Sequence, residues 1–256
     1  MPNKKIYPKK ILIPLLLLSF MAVAIIWIYW NYRLQQKSYQ TFYKAFETTI
    51  PNNFIIHGID VSKHQSYIYW NAVKQMKIND ITIDFVFIKA TEGIATKDAM
   101  FKKNWQESKQ YNITHGAYHY FLASKDGKLQ AQHFIKNIDL VKGDLPPVVD
   151  IEKDFGVNNK ILKTRLKDCL NQLQNKYGIK PILYSYADFY NNFLGEEFDD
   201  YPLWIAHYTD DKKPDISRNW LFWQHSETGR VNGITEKVDF NVFAGDKNLF
   251  NKMLIK

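Results

Sequence analysis

Four carboxylates in this chain stand where strands would deliver them to one place. The segment Pro146-Pro147-Val148-Val149-Asp150-Ile151-Glu152 reads as a short strand. Side chains alternate along a strand, so Asp150 and Glu152 share one face while Val149 and Ile151 take the other. Their Cα atoms lie roughly 6.5–7 Å apart by strand rise. Two acids so placed repel, and partial burial raises one pKa further. The outcome is one protonated acid beside one ionised partner, the division of labour that glycoside hydrolysis needs. Alone the segment is a weak signal, because Asp-x-Glu pairs are common on solvated strand edges. Asp60 and Asp239 strengthen it. Asp60 ends the run Ile55-Ile56-His57-Gly58-Ile59, and Asp239 lies in Val238-Asp239-Phe240-Asn241 on the last strand-like run. In a closed barrel the first and last strands are neighbours, so both acids can face one pocket. An acid at the end of an apolar strand is costly unless paired or functional.

A saccharide offers apolar ring faces edged by hydroxyls, which aromatic side chains with polar tips complement. Tyr118, Tyr184, Tyr186, Trp204 and Tyr208 lie on or near strand ends, although a strand aromatic is just as commonly core. Lys89 and Glu92 read either as an ionic pair near the cleft or as scaffold. His119 neighbours Tyr118 and should face the opposite side, as a core histidine. No His-Glu-x-x-His and no Cys pair occurs, so neither metal nor cofactor is expected. Cys169 falls on a helix's apolar stripe and reads as a buried free thiol. Ser62 and Ser185 lack a Gly-x-Ser-x-Gly elbow, which argues against a serine hydrolase.

Eight β-rich runs must position these groups: 55–62, 85–91, 115–121, 147–152, 181–186, 203–208, 221–225 and 237–242. Helical stretches at 70–78, 97–111, 128–138 and 158–177 separate the first five. The clearest places Leu162, Leu166, Cys169, Leu170, Leu173 and Tyr177 on one face before Gly178. Strands alternating with helices early and thinning later imply an α/β fold, a (β/α)-barrel of TIM-like type with helices depleted in its second half. A doubly wound open sheet is the alternative, but no Gly-rich phosphate turn follows any strand.

The chain has 256 residues, one Cys and a formal charge of +8. Residues 1–40 carry Lys4, Lys5, Lys9, Lys10, Arg33 and Lys37 without an acid, which leaves the rest nearly neutral. Nucleic acid is therefore not an expected partner. Ile11 to Trp30 is a run of 20 uncharged residues, long enough as a helix to span roughly 30 Å of hydrocarbon. With the lysines before it, residues 1–30 read as a membrane anchor that leaves the body outside the cytoplasm. The competing reading is a signal peptide cleaved at Ala22-Val23-Ala24. Residues 31–53 read as a juxtamembrane stalk, and residues 54–256 as the barrel domain.

The motifs, in order, complete a pattern. They are Gly58-Ile59-Asp60-Val61-Ser62, Phe87-Ile88-Lys89-Ala90-Thr91-Glu92-Gly93, Gly116-Ala117-Tyr118-His119-Tyr120-Phe121 and Asp150-x-Glu152. Tyr184-Ser185, Leu203-Trp204-Ile205-Ala206, Trp223-Gln224 and Val238-Asp239-x-Asn241 follow. Together they resemble the glycoside hydrolase family 25 lysozymes, the N,O-diacetylmuramidases, over about residues 54–250. The resemblance implies a barrel of five βα units followed by three strands, and cleavage of the β-1,4 bond between N-acetylmuramic acid and N-acetylglucosamine in peptidoglycan. It implies Glu152 as general acid and Asp150 as the partner of the substrate acetamido group. Asp60 and Asp239 match the remaining family acids, and Tyr118, Tyr184 and Trp204 match substrate-contact positions. A monomer in the cell envelope, working on peptidoglycan glycan strands, is the expectation. A non-catalytic peptidoglycan-binding barrel and a glycosidase of another N-acetylated glycan, such as chitin, are the alternatives. Strand spacing leans toward inversion, whereas the resemblance favours retention assisted by the acetamido group.

Overall fold

The computed structural model describes residues 18–30, 39–209 and 213–256. They fall into two compact units, residues 1–39 and residues 40–256. In the first unit, residues 18–30 form helix α1, whose apolar side chains, Phe20, Ile25, Trp27 and Trp30 among them, are exposed. At 1.5 Å per residue the described residues 18–30 rise about 20 Å. Among the described residues no helix is long and apolar enough to cross a membrane. Residues 11–17 of the expected anchor and 31–38 of the expected stalk lie outside the described residues.

The second unit starts at Gln40, upstream of the expected boundary at Phe54. Strands β1 (Gln40–Tyr43) and β2 (Thr48–Pro51) form an antiparallel hairpin. Its turn buries Phe46, whose ring lies 5.3 Å from that of Phe240, and the Phe46 carbonyl accepts from Arg230 N at 2.8 Å. Residues 40–51 are thus a folded part of the barrel unit and not stalk. The hairpin escaped notice because its two four-residue strands carry no clean apolar alternation; tertiary contacts hold it.

The remaining elements run β3 (His57–Val61), α2 (Trp70–Gln75), β4 (Lys77–Ile78), β5 (Ile81–Glu92), β6 (Thr96–Lys97), α3 (Phe101–Gln110) and β7 (Thr114–Tyr120). Then come α4 (Gly127–Asn137), β8 (Val148–Asp150), α5 (Asn159–Tyr177), β9 (Ile182–Tyr186) and the short α6 (Ala187–Phe189), which continues in irregular turns to Phe198. Strands β10 (Leu203–Ala206), β11 (Phe222–Gly229) and β12 (Val238–Phe243) follow with no helix between them among the described residues, and α7 (Lys247–Met253) comes last. Eight strands close a barrel in the order β3-β12-β11-β10-β9-β8-β7-β5, with β5 pairing back to β3. Only β12 runs antiparallel to its barrel neighbours. The fold is the expected (β/α)-barrel with helices depleted in its second half.

Alternation decides what each strand offers. On β5, Phe85 and Phe87 point into the barrel, where they meet Phe222 and Trp204; Val86 and Ile88 point outward to the helix layer. The Phe87 ring stacks on Trp204 at 4.3 Å. On β3, Ile59 and Val61 belong to the outer layer, so Gly58 and Asp60 face inward. Gly58 is needed there: a Cβ would lie 2.5 Å from the Phe85 ring. Gly58→Ala is expected to cost about 1–3 kcal/mol through overpacking. Urea denaturation checks this, with a lower midpoint at unchanged slope expected and a midpoint equal to wild type against it.

Helix α5 shows the stripe read from the sequence, with Leu162, Leu166, Cys169, Leu170 and Leu173 buried. Asn158 caps its start, and Gly178 ends it at φ +70°, a left-handed conformation that favours glycine.

Candidate active site

The carboxyl ends of the parallel strands converge on a cavity of about 120 Å³. Asp60, Asp150, Glu152 and Asp239 all line it, together with Tyr118, Tyr184, Tyr186, Trp204 and Tyr208. All nine positions singled out from the sequence therefore meet at one mouth. A larger cleft of about 420 Å³, bordered by Phe101, Trp105 and Ile138, contains none of the four acids.

Each acid is delivered by its strand. Asp60 and Asp239 are register partners across β3 and β12, which places them side by side. Asp150 is the last residue of β8, and Glu152 follows in the extended chain beyond it. The residue between them is tied down: Ser185 Oγ donates to the Ile151 carbonyl at 2.8 Å, and Ile151 N donates to the Tyr184 carbonyl at 3.0 Å.

The Asp60 carboxylate is held by donors. Its Oδ2 accepts from Gln224 Nε2 at 2.7 Å and from Asn241 Nδ2 at 2.8 Å, and Asp239 also hydrogen-bonds to it. Gln224 is oriented in turn, its Oε1 accepting from Tyr184 at 2.7 Å and from Tyr208 at 2.5 Å. Trp204 Nε1 donates to Asn241 Oδ1 at 2.7 Å, so this tryptophan is barrel core and network member as well as cavity wall. Burial raises the Asp60 pKa, while these hydrogen bonds work against the rise. Burial, followed by the charge of Asp60, pushes Asp239 up to about 9. Of the two, Asp239 is the one held protonated, with its hydrogen bond directed to Asp60.

The second pair is less satisfied. Burial first, then the charge of Glu152, holds Asp150 well above the usual carboxylate range, with Lys89 opposing. Asp150 Oδ1 is buried and accepts no hydrogen bond from the protein. Burial raises the Glu152 pKa; Lys153, a hydrogen bond with Tyr120 and Lys89 counter it. Both acids therefore favour protonation more than a free carboxyl does, and the unpaired Asp150 oxygen beside Glu152 is open to a donor.

Among the residues of uncertain reading, Lys89 pairs with Glu92 at 2.8 Å and lies 4.6 Å from the centre of the Tyr120 ring. It is scaffold for the β5 loop and a positive charge felt by both central acids. His119 is core, bonded to Thr91 Oγ1 at 2.7 Å and Gln130 Oε1 at 3.3 Å. Cys169 is buried, and its thiol pKa is raised by burial. Ser62 caps the short turn Lys63–Gln65.

Four residues were missed as site members. Gln224, Asn241 and Tyr120 share strand parity with Phe222, Asp239 and Tyr118, so alternation alone could have found them. Glu227 also lines the cavity, but it follows a register shift on β11 that breaks alternation. The hairpin reaches the mouth too: Gln40 Nε2 donates to the carbonyl of Thr209, next to Tyr208, at 2.7 Å.

Because Asp239 takes up its proton more readily when folded, it adds stability that is full below the ordinary carboxylate range. That stability is lost as pH rises toward about 9. Asp239→Asn removes this dependence. The unfolding free energies of wild type and variant should therefore diverge, in the variant's favour, by on the order of a few kcal/mol between pH 4 and 9. Urea denaturation across that range checks it; parallel curves would contradict the assignment.

Fold and site together are those of a barrel whose mouth is lined by four carboxyl groups. Comparison with known proteins agrees. The family described as "Glycosyl hydrolases family 25" matches residues 59–234. The protein YegX of Escherichia coli O6:H1 is 41% identical over 85% of this chain and 82% of its own. Lysozyme M1 of Streptomyces globisporus is 32% identical over 74% of this chain and 68% of its own. A family 25 glycosyl hydrolase structure from Bacillus anthracis superposes with a TM-score of 0.73 at 30% identity, covering 79% of this chain and 95% of that one. The chain belongs to glycosyl hydrolase family 25, and it is a glycoside hydrolase.

Proposed function

We propose that the enzyme hydrolyses peptidoglycan at the β-1,4 bond between N-acetylmuramic acid and N-acetylglucosamine. The observation that carries this reading is the buried, unpaired Oδ1 of Asp150 beside Glu152. An acceptor so placed suits the N–H of a 2-acetamido group. The names lysozyme and N,O-diacetylmuramidase among its relatives lend further support. Glu152 gives its proton to the oxygen leaving as the 4-hydroxyl of N-acetylglucosamine, and the bond from that oxygen to C1 breaks. The acetamido carbonyl oxygen closes on C1 from the opposite face, and Asp150 accepts the N–H as positive charge develops on the ring so formed. Water then attacks C1 and reopens that ring, losing its proton to Glu152. Asp60 and Asp239 hold the sugar and the field around it, with Tyr118, Tyr184 and Trp204 as the wall against which the ring rests. Two inversions give net retention. Proton NMR of freshly released muropeptides should show the β anomer first; an initial α anomer overturns this route.

We further infer that residues 11–30 anchor the enzyme in a membrane, with the barrel in the cell envelope. The uncharged run, the lysines before it and the exposed apolar side chains of residues 18–30 support this reading. Membrane fractionation tests it: full-length chain should pellet with membranes, whereas a soluble product lacking residues 1–24 means a cleaved signal peptide.

A further inference from the structure

A second groove, of about 350 Å³, lies between α2 and α3 and shares no lining residue with the catalytic cavity. Its walls include Tyr67, Tyr69 and Tyr111, with Lys103, Glu107 and Gln110 along one side. Tyr67 and Tyr69 are 65% and 74% exposed. They are nevertheless built in. Lys103 Nζ sits 4.3 Å from the centre of the Tyr67 ring and 3.7 Å from Glu107 Oε1. Tyr69 N donates to the Gly233 carbonyl at 2.8 Å, and the next residue, Trp70, is buried. Flat faces with hydroxyl tips thus stand beside an ammonium, a carboxylate and an amide, all within one groove.

We propose that this groove is a second binding site for the glycan strand, outside the catalytic mouth. The proposal rests on the reading of the substrate as a wall polysaccharide. Two observations choose this occupant. The catalytic cavity, at about 120 Å³, is well below the roughly 300–1,000 Å³ of an ordinary small-molecule pocket, so most of a polymer must lie on the surface beyond it. The loop that carries Tyr67 and Tyr69 leaves directly from the end of β3, the strand that delivers Asp60 to the mouth. A strand held at both places is bound bivalently, and the second contact raises the local concentration of bonds at the first. The lining also suits sugar better than lipid: rings offer stacking faces, while the Lys103–Glu107 pair and Gln110 offer donors and acceptors to hydroxyls.

The test uses the full chain carrying Glu152→Gln, so that walls are bound and not digested. Adding Tyr67→Ala and Tyr69→Ala should weaken binding to purified, membrane-free walls at least tenfold, about 1.4 kcal/mol. Tyr67→Phe with Tyr69→Phe, which keeps the rings, should restore most of it. With Glu152 intact, the double alanine variant should cleave a soluble glycan of two disaccharide repeats at unchanged kcat/KM and clear insoluble walls more slowly. Unchanged wall affinity of the double alanine variant overturns the proposal. So does affinity that disappears when stem peptides are stripped from the glycan, since the groove would then hold peptide. Failure of the Glu152 enzyme to cleave the soluble glycan would instead strike at the substrate assignment, leaving the wall-binding result to stand by itself.

Discussion

Glu152→Gln should lower kcat/KM on peptidoglycan by about 10²–10⁴, the range typical for a lost general acid. Glutamine keeps the size and hydrogen-bonding capacity of the side chain but cannot supply the proton that the leaving oxygen needs. Folding should survive, because Glu152 lies beyond the end of β8 and is only half-buried. Saccharide binding should survive as well. The substitution also removes the charge that helps raise Asp150, whose pKa should therefore fall. Residual activity then loses the alkaline limb set by Glu152, and its acidic limb moves to lower pH with Asp150, a change that mere loosening of the site would not produce. Initial rates of reducing-end release across pH measure both effects. Activity within tenfold of wild type would remove Glu152 from the role of acid.

The second large effect belongs to Asp150→Asn. On the proposed route the carboxylate stabilises the positive charge that grows as the acetamido group closes on C1, in a buried setting where such charge stabilisation is worth most. Asparagine keeps the shape but halves the acceptor capacity and aims an N–H₂ at the substrate's own N–H. A fall in kcat of about 10²–10³ is expected, with a smaller rise in KM, because the charge exists only near the transition state. Steady-state kinetics on soluble muropeptide oligomers separates the two. A change confined to KM would make Asp150 a binding residue alone.

Much of this site was legible before any coordinates. Period-two alternation put Asp150 and Glu152 on one face, and barrel closure made neighbours of Asp60 and Asp239; both inferences need only strand geometry. What escaped had physical reasons. Glu227 sits past a bulge where parity no longer counts, and the Gln40–Pro51 hairpin is held by Phe46 and Thr48 reaching residues far along the chain. The partners of the acids were visible as motif members, Gln224 and Asn241 among them. Their function as donors to Asp60 was not, because it depends on rotamers that the sequence does not express. Trp204 shows the same limit: it reads as a sugar platform, and in the fold its indole also stacks on Phe87 and bonds Asn241.

The proposed function stands or falls on cleavage at the muramic acid side of the glycan repeat. Mass spectrometry of muropeptides released from purified walls, reduced with borohydride before analysis, tests it most directly. Muramitol is expected at the new ends of the products. Glucosaminitol there would contradict it.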